Sequence, residues 1–243
     1  MNRADPIPSP IPSPSPSPSP STSPSHDVVG IVLAGGRSAR LAEGIDLPAG
    51  GKAAIPLRGR SFLELVTETL AAEVASTIVV AAAGQPLPPG LAVRVVRDTV
   101  VAAGPLAGLR DGLAAVAGTA KPPRLAVVTS CDAPLLRREV VRLLVGAARA
   151  ADALWTVPEV HGHRQVLTSV VALEILPRID AWLAAGRRDL RGLCAAIERE
   201  QPGRVHVVGE PALAAVDPAL DSFADVDTPA DLRRLVERPP PLG

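Results

Sequence analysis

Three short segments of this sequence combine residue types that handle phosphate. The first is Leu33-Ala34-Gly35-Gly36-Arg37-Ser38-Ala39-Arg40, directly after the β-branched run Val28–Leu33. Consecutive glycines let the backbone turn sharply and point N–H groups at an anion. Arg37, Ser38 and Arg40 add donors matched to phosphate oxygens. The spacing is neither G-x-G-x-x-G nor Gly-Lys-Ser/Thr, so no dinucleotide fingerprint or Walker loop is present. Taken alone, an ordinary strand-to-helix turn explains these glycines equally well. The second segment carries Lys52, one of only two lysines among 25 cationic residues. A compact ammonium suits a crowded phosphate site better than a planar guanidinium. The other lysine, Lys121 in Ala-Lys-Pro-Pro, reads as a loop cation. The third segment is Thr129-Ser130-Cys131-Asp132-Ala133-Pro134. A carboxylate at Asp132, facing a phosphate-binding turn, is suited to Mg2+. The plainer alternative is a helix N-cap, with Pro134 opening the next helix. Asp98, just past Val95-Val96-Arg97, could hydrogen-bond a ribose hydroxyl or a base N–H. Gly104-Pro105-Leu106-Ala107-Gly108 starts a helix with small residues that admit a ligand ring.

The elements that must hold these residues alternate between two periodicities. Buried strands are expected at 28–33, 77–80, 93–96, 125–128, 153–157, 166–171 and 205–208. Helices are expected at 61–74, 106–116, 137–150, 173–184, 189–200 and 229–237. The first of these has Ser61 as N-cap and Glu64 three residues on, the capping-box pattern. Residues 209–228 read as irregular. Repeated strand–helix alternation predicts an α/β fold, a mostly parallel sheet with helices on both faces. In such sheets ligands sit beyond the carboxyl ends of the strands. That rule points to the positions after Leu33, Val96 and Val128.

Composition closes off other classes. Apolar residues make up 47% and aromatics 2%, with 25 cationic and 25 acidic side chains. The apolar runs fall far short of the roughly 20 residues of a membrane-spanning helix. Zero net charge argues against a nucleic-acid partner. Cys131 and Cys194 suffice for neither a disulfide framework nor a zinc site, and a reducing, cytoplasmic location is expected. Four histidines, none in a motif with a Ser or Cys nucleophile, argue against a hydrolase triad. Nine of the 27 prolines fall in the first 27 residues. Proline has no N–H and a fixed φ, so residues 1–27 are expected to form a disordered Pro/Ser-rich tail. A single domain is then expected over 28–238, with a short tail at 239–243.

In order and spacing, these segments resemble the molybdenum cofactor guanylyltransferases of the nucleotidyltransferase superfamily. The resemblance rests on Leu33–Arg40, Lys52, Asp98, Gly104–Gly108, Cys131–Pro134, Arg164–Leu167 and Asp225–Leu232, and spans about 200 residues. It implies a Rossmann-like nucleotidyltransferase fold with Mg2+ as cofactor. Its substrates would be GTP and molybdopterin, with a molybdoenzyme or cofactor-delivery protein as a candidate partner. Leu33, Ala34 and Gly35 would contact guanine and ribose. Gly36, Ser38, Arg40 and Lys52 would hold the triphosphate, Asp98 would bind the nucleoside, and Asp132 would carry the metal. Lys52, Arg40 and Asp132 would be the catalytic set. The acceptor's terminal phosphate would attack the α-phosphorus of GTP and release pyrophosphate. Other readings keep the same residues: a cytidylyltransferase, a transferase to a different phosphate acceptor, or an inactive nucleotide-binding relative. The chain departs from the family pattern in five places. The Arg40–Lys52 interval is longer, and Gly51 replaces the acidic residue usual before the lysine. Ala81-Ala82-Ala83-Gly84 lacks the usual asparagine, Gln165-Val166-Leu167 lacks the usual proline, and Asp225 and Asp227 replace asparagines. Asp227 is expected to belong to the cap of the last helix, with a second metal carboxylate as the alternative.

Overall fold

The computed structural model describes residues 25–36, 39–99 and 104–238. Its centre is an eight-stranded sheet. Along the chain the strands are β1 (Ser25–Leu33), β2 (Pro56–Leu57), β3 (Arg60–Ser61), β4 (Val74–Ala81) and β5 (Arg94–Arg97). They continue as β6 (Leu125–Ser130), β7 (Trp155–Val160), β8 (His163–Arg164), β9 (Ser169–Ala172) and β10 (Val205–Val208). The helices are α1 (Ala39–Ala42), α2 (Phe62–Ala71), α3 (Pro105–Ala117) and α4 (Arg138–Ala151). After them come α5 (Leu176–Ala184), α6 (Leu190–Glu200), α7 (Glu210–Ala214) and α8 (Pro229–Glu237).

The sheet order is β10-β7-β9-β6-β1-β4-β5, with β8 paired to β7 and β2–β3 forming a separate hairpin. Strands β6, β1, β4 and β5 run parallel. Their carboxyl ends, at Ser130, Leu33, Ala81 and Arg97, therefore lie on one edge. β9 runs antiparallel to both β6 and β7. The expectation of an α/β, mostly parallel sheet holds. Leu70 of α2 packs over Gly30, while α3 packs over Ile31 through Gly112. Successive strand residues face opposite sides, so the two helices cover opposite faces. The main core joins Val28, Ile31, Val79, Leu109, Val128, Leu144, Trp155 and Ile197, among others.

Several boundaries differ from the sequence expectation. Ser25, His26 and Asp27, assigned to the tail, open β1: Asp27 O accepts from Arg124 N at 2.9 Å. The rest of that tail and residues 239–243 lie outside the described residues. α2 ends at Ala71, and Val74 begins β4 rather than closing the helix. A buried valine satisfies either period, so helical spacing alone could not separate the two. Pro134 opens no helix. Residues 133–136 form turns, and α4 starts at Arg138 after Arg137 as its N-cap. The segment read as irregular contains α7 and a 3-10 turn at Asp221–Phe223.

A smaller apolar cluster holds Leu41, Ile55, Leu57, Phe62, Val226 and Leu235. Two charged residues are chain neighbours of its members, and a third lies on a turn that one member closes. Leu41 follows Arg40, Val226 precedes Asp227, and Ile55 ends the 3-10 turn Gly51–Ala54 that carries Lys52. Burying side chains of this size stabilises by about 1.5–3 kcal/mol each. That stabilisation brings together residues from the two ends of the chain.

Candidate active site

Lys52 is the centre of the site. Its Nζ donates to Asp132 Oδ2 at 3.0 Å and to Asp227 Oδ1 at 2.5 Å. The lysine side chain is only 11% exposed, against 18% for Asp132 and 35% for Asp227. Arg40 Nη2 donates to the other oxygen of Asp227 at 2.8 Å from a side chain that is 72% exposed. Val226 N donates to Asp132 O at 3.0 Å, which sets the 225–227 segment beside the end of β6. The three expected catalytic residues thus meet, joined by an aspartate the sequence reading had given to a helix cap. The cap of α8 is Thr228, in a capping box with Asp231. Asp227 sits one residue earlier, and its side chain turns to the two cations. Asp132 caps no helix either, because the α4 cap is Arg137.

The longer Arg40–Lys52 interval is held at its end. Gln85 Nε2 donates to Gly50 O at 2.9 Å and to Ala34 O at 3.0 Å. A Cβ on Gly50 would come within 2.8 Å of Pro86 O, so glycine is required for that approach. The loop therefore delivers Lys52 to the same edge as the glycine turn.

At that turn, Leu33 O accepts from Cys131 N at 3.1 Å, and Ala34 N donates to Val80 O at 2.8 Å. Both main-chain groups of Ala34 are engaged inside the protein. The N–H groups of Gly35 and Gly36 have no partner among the described residues, and both glycines are exposed. Ser38 and Arg37 lie outside the described residues. Asp98 flanks the turn: a Cβ on Gly35 would be 3.1 Å from its Oδ2, and one on Gly108 would be 3.4 Å from its Oδ1. Burial, then the nearby Asp111, raises the Asp98 pKa. Asp111 itself is buried and accepts from Thr99 N at 2.8 Å, fixing the chain just after Asp98.

Opposite charges crowd around Lys52. Burial acts to lower the Lys52 pKa, but Asp132 and Asp227 outweigh it, and the net shift is upward. The lysine is therefore a fixed positive charge rather than a base. Asp225 lines a neighbouring cleft of about 320 Å³ with Pro105, Gln165, Asp189 and Arg191. Partial desolvation in that cleft, then Asp132 and Asp227, push its pKa up to about 7, against the pull of Lys52 and Arg191. Three carboxylates thus gather around Lys52, with Arg40 on Asp227 and Arg191 beside Asp225. Among the described residues no group of three or more His, Cys, Asp or Glu is arranged to hold a metal. Mg2+, however, is usually bound by one or two carboxylates plus substrate phosphates. The all-oxygen donor set at Asp132 and Asp227 fits that mode.

Residues 30–238 match the model of the MobA-like NTP transferase domain. The chain belongs to this family. It is accordingly a nucleotidyltransferase, an enzyme. Over 214 residues it is 33% identical to the probable molybdenum cofactor guanylyltransferase of Mycobacterium avium strain 104, covering 88% of this chain and 97% of that one. Among solved structures, it is similar to molybdopterin-guanine dinucleotide biosynthesis protein A from Archaeoglobus fulgidus. That match has a TM-score of 0.68 at 23% identity, over 86% of this chain and 97% of that one. A Mycobacterium tuberculosis H37Rv protein solved as a complex with manganese shares the fold at TM-score 0.56 and 18% identity, over 88% and 99% of the two chains. No helix among the described residues is long and apolar enough to cross a membrane.

Signals for two of the site's residues were weak in the sequence. Gln85 is a polar residue a few positions past β4 and belongs to no motif. Asp225 stands in the terminal motif, but nothing there sets it apart as a group with a raised pKa; its proximity to Asp132 and Asp227 does that.

Proposed function

We propose that this chain transfers GMP from GTP to the terminal phosphate of molybdopterin, releasing pyrophosphate and forming the guanine dinucleotide form of the molybdenum cofactor. One observation carries the reading: Lys52 held between Asp132 and Asp227 at the strand edge that also presents the Gly35–Gly36 turn. The relatedness to a probable molybdenum cofactor guanylyltransferase supplies the substrates. A cytoplasmic location follows from the same reading.

Gly35 and Gly36 offer main-chain N–H groups to phosphate oxygens, and Leu33 and Ala34 form the floor beneath the nucleoside. Asp98 accepts hydrogen bonds from the nucleoside beside Gly35. Lys52 and Arg40 neutralise the triphosphate, to which the Ser38 hydroxyl would donate a hydrogen bond. Asp132, joined by Asp227, would hold Mg2+. That ion would withdraw electron density from the phosphoryl oxygens and offset the charge of the leaving pyrophosphate. The acceptor phosphate is already ionised at neutral pH, so its oxygen attacks the α-phosphorus as the bond to the β-phosphate oxygen breaks. No side chain needs to remove a proton, which agrees with a lysine held in its charged form. Catalysis is then positioning and electrostatic stabilisation.

The test is pyrophosphate release by purified protein with Mg2+, molybdopterin and each nucleoside triphosphate in turn. GTP-dependent release is expected. Turnover with CTP but not GTP would overturn the guanylyl assignment. Nucleotide binding without release, whatever the acceptor, would mark an inactive relative.

A further inference from the structure

Gln85 has no part in the chemistry described above, yet three segments of the site meet on its side chain. Its Nε2 donates to Ala34 O at 3.0 Å and to Gly50 O at 2.9 Å, and its Oε1 accepts from Ala82 N at 3.1 Å. Arg97 Nη1 in turn donates to Ala82 O at 3.1 Å and Gln85 O at 2.8 Å, fixing the backbone on which the amide is mounted. The contact is tight, since a Cβ added at Gly50 would come within 2.8 Å of Pro86 O and of Ala54 Cβ. Lys52 follows two residues after Gly50, and Gly35 one residue after Ala34.

We propose that Gln85 is a positioning residue for nucleotidyl transfer, a strut that sets the glycine turn after β1 against the segment delivering Lys52. Both amide hydrogens are committed to main-chain carbonyls, so the side chain acts through its neighbours instead of reading a base. Only glutamine offers two donors and an acceptor at this reach. Asparagine is one methylene short, and glutamate would set a carboxylate against two carbonyl oxygens. Without the strut, the long Arg40–Lys52 segment loses its anchor to the turn, and the spacing between Lys52 and the Gly35–Gly36 N–H groups is no longer fixed. The proposal rests on the functional reading above only for its kinetic consequence.

The test uses Gln85→Met, which keeps the volume and removes the hydrogen bonds, and Gln85→Glu, which sets a carboxylate against the same two carbonyls. Small displacements of reacting groups cost up to about a hundredfold in rate, so kcat for pyrophosphate release should fall by about tenfold or more, with the acceptor KM within about twofold. A second readout needs no turnover. Lys52 and Lys121 are the only lysines, so acetylation of Lys52 by an N-hydroxysuccinimide ester can be measured by peptide mass spectrometry against Lys121 as internal reference. The Lys52 to Lys121 ratio should rise severalfold in either variant. Wild-type kcat together with a wild-type labelling ratio, even with a lowered Tm, would overturn the proposal and leave Gln85 as fold support only. If one variant fails to fold, the other carries the test. If wild-type protein releases no pyrophosphate with any acceptor, the functional reading fails, while the labelling ratio still decides on the strut.

Discussion

Asp225→Asn should stabilise the metal-free protein, and by an amount that depends on pH. The folded pKa of Asp225 is raised from the ordinary 3.8 to about 7, by partial desolvation first and then by Asp132 and Asp227. A carboxyl group raised in this way adds relative stability below its unfolded pKa. That stability is lost as pH rises through the folded value. In the window from about 4 to 7 the folded state binds more protons than the unfolded state, so stability falls with rising pH. The full gap would be worth about 4 kcal/mol as a ceiling. Asp225 is open to solvent at the cleft mouth, and screening there leaves about 1–2 kcal/mol. Urea unfolding in EDTA should therefore show Asp225→Asn more stable than wild type by about 1–2 kcal/mol at pH 8, and by much less at pH 5. An equal gain at both pH values would mean that the charge of Asp225 is not the cause. No gain at pH 8 would mean that neither burial nor the neighbouring carboxylates penalise the charged form of Asp225.

Replacing Lys52 with Met should lower kcat by about 10²–10³, the usual cost of removing one preorganised charge from a transition state; activity within a factor of about three would rule the lysine out of the chemistry. Burial, then Asp132, pushes the Cys131 thiol up to about 12, and the Cys194 thiol is also raised by burial. Native protein treated with iodoacetamide at pH 8 should accordingly keep both thiols unmodified, with both reacting after denaturation; rapid alkylation of the native protein would contradict the packing described. Ser61→Ala should cost about 1 kcal/mol through loss of the α2 cap, read as a lower urea midpoint at unchanged m, and an unchanged midpoint would show that the capping box contributes nothing to stability.

The sequence carried the strand edges and the helix caps because both leave local marks. Val28–Leu33 is β-branched and ends in glycines, and Ser61 with Glu64 announces its helix outright. Boundaries failed where one residue type serves two periods, as at Val74. They failed again where a turn uses the residues of a helix start, as at Pro134. The candidate site was readable wherever a residue sits within a motif, as Lys52 and Asp132 do. Asp227 was misread because Thr228 next to it is a genuine cap, and adjacency in sequence does not say which way a side chain points. Gln85 was silent for another reason. Its role consists of hydrogen bonds to main-chain atoms 35 and 51 residues away, and main-chain partners leave no trace in residue identity.

The small apolar cluster around Leu41 and Val226 also bears on how the enzyme comes into being on the ribosome. It needs Val226 and Leu235 as well as Leu41 and Phe62, and Lys52 waits for a partner 175 residues further along the chain. A nascent chain can complete the β1–β4–β6 portion of the sheet while the lysine faces Asp132 alone. The charge arrangement assigned to catalysis would then form only after the last helix emerges, so translation delivers a folded scaffold first and a reactive centre last.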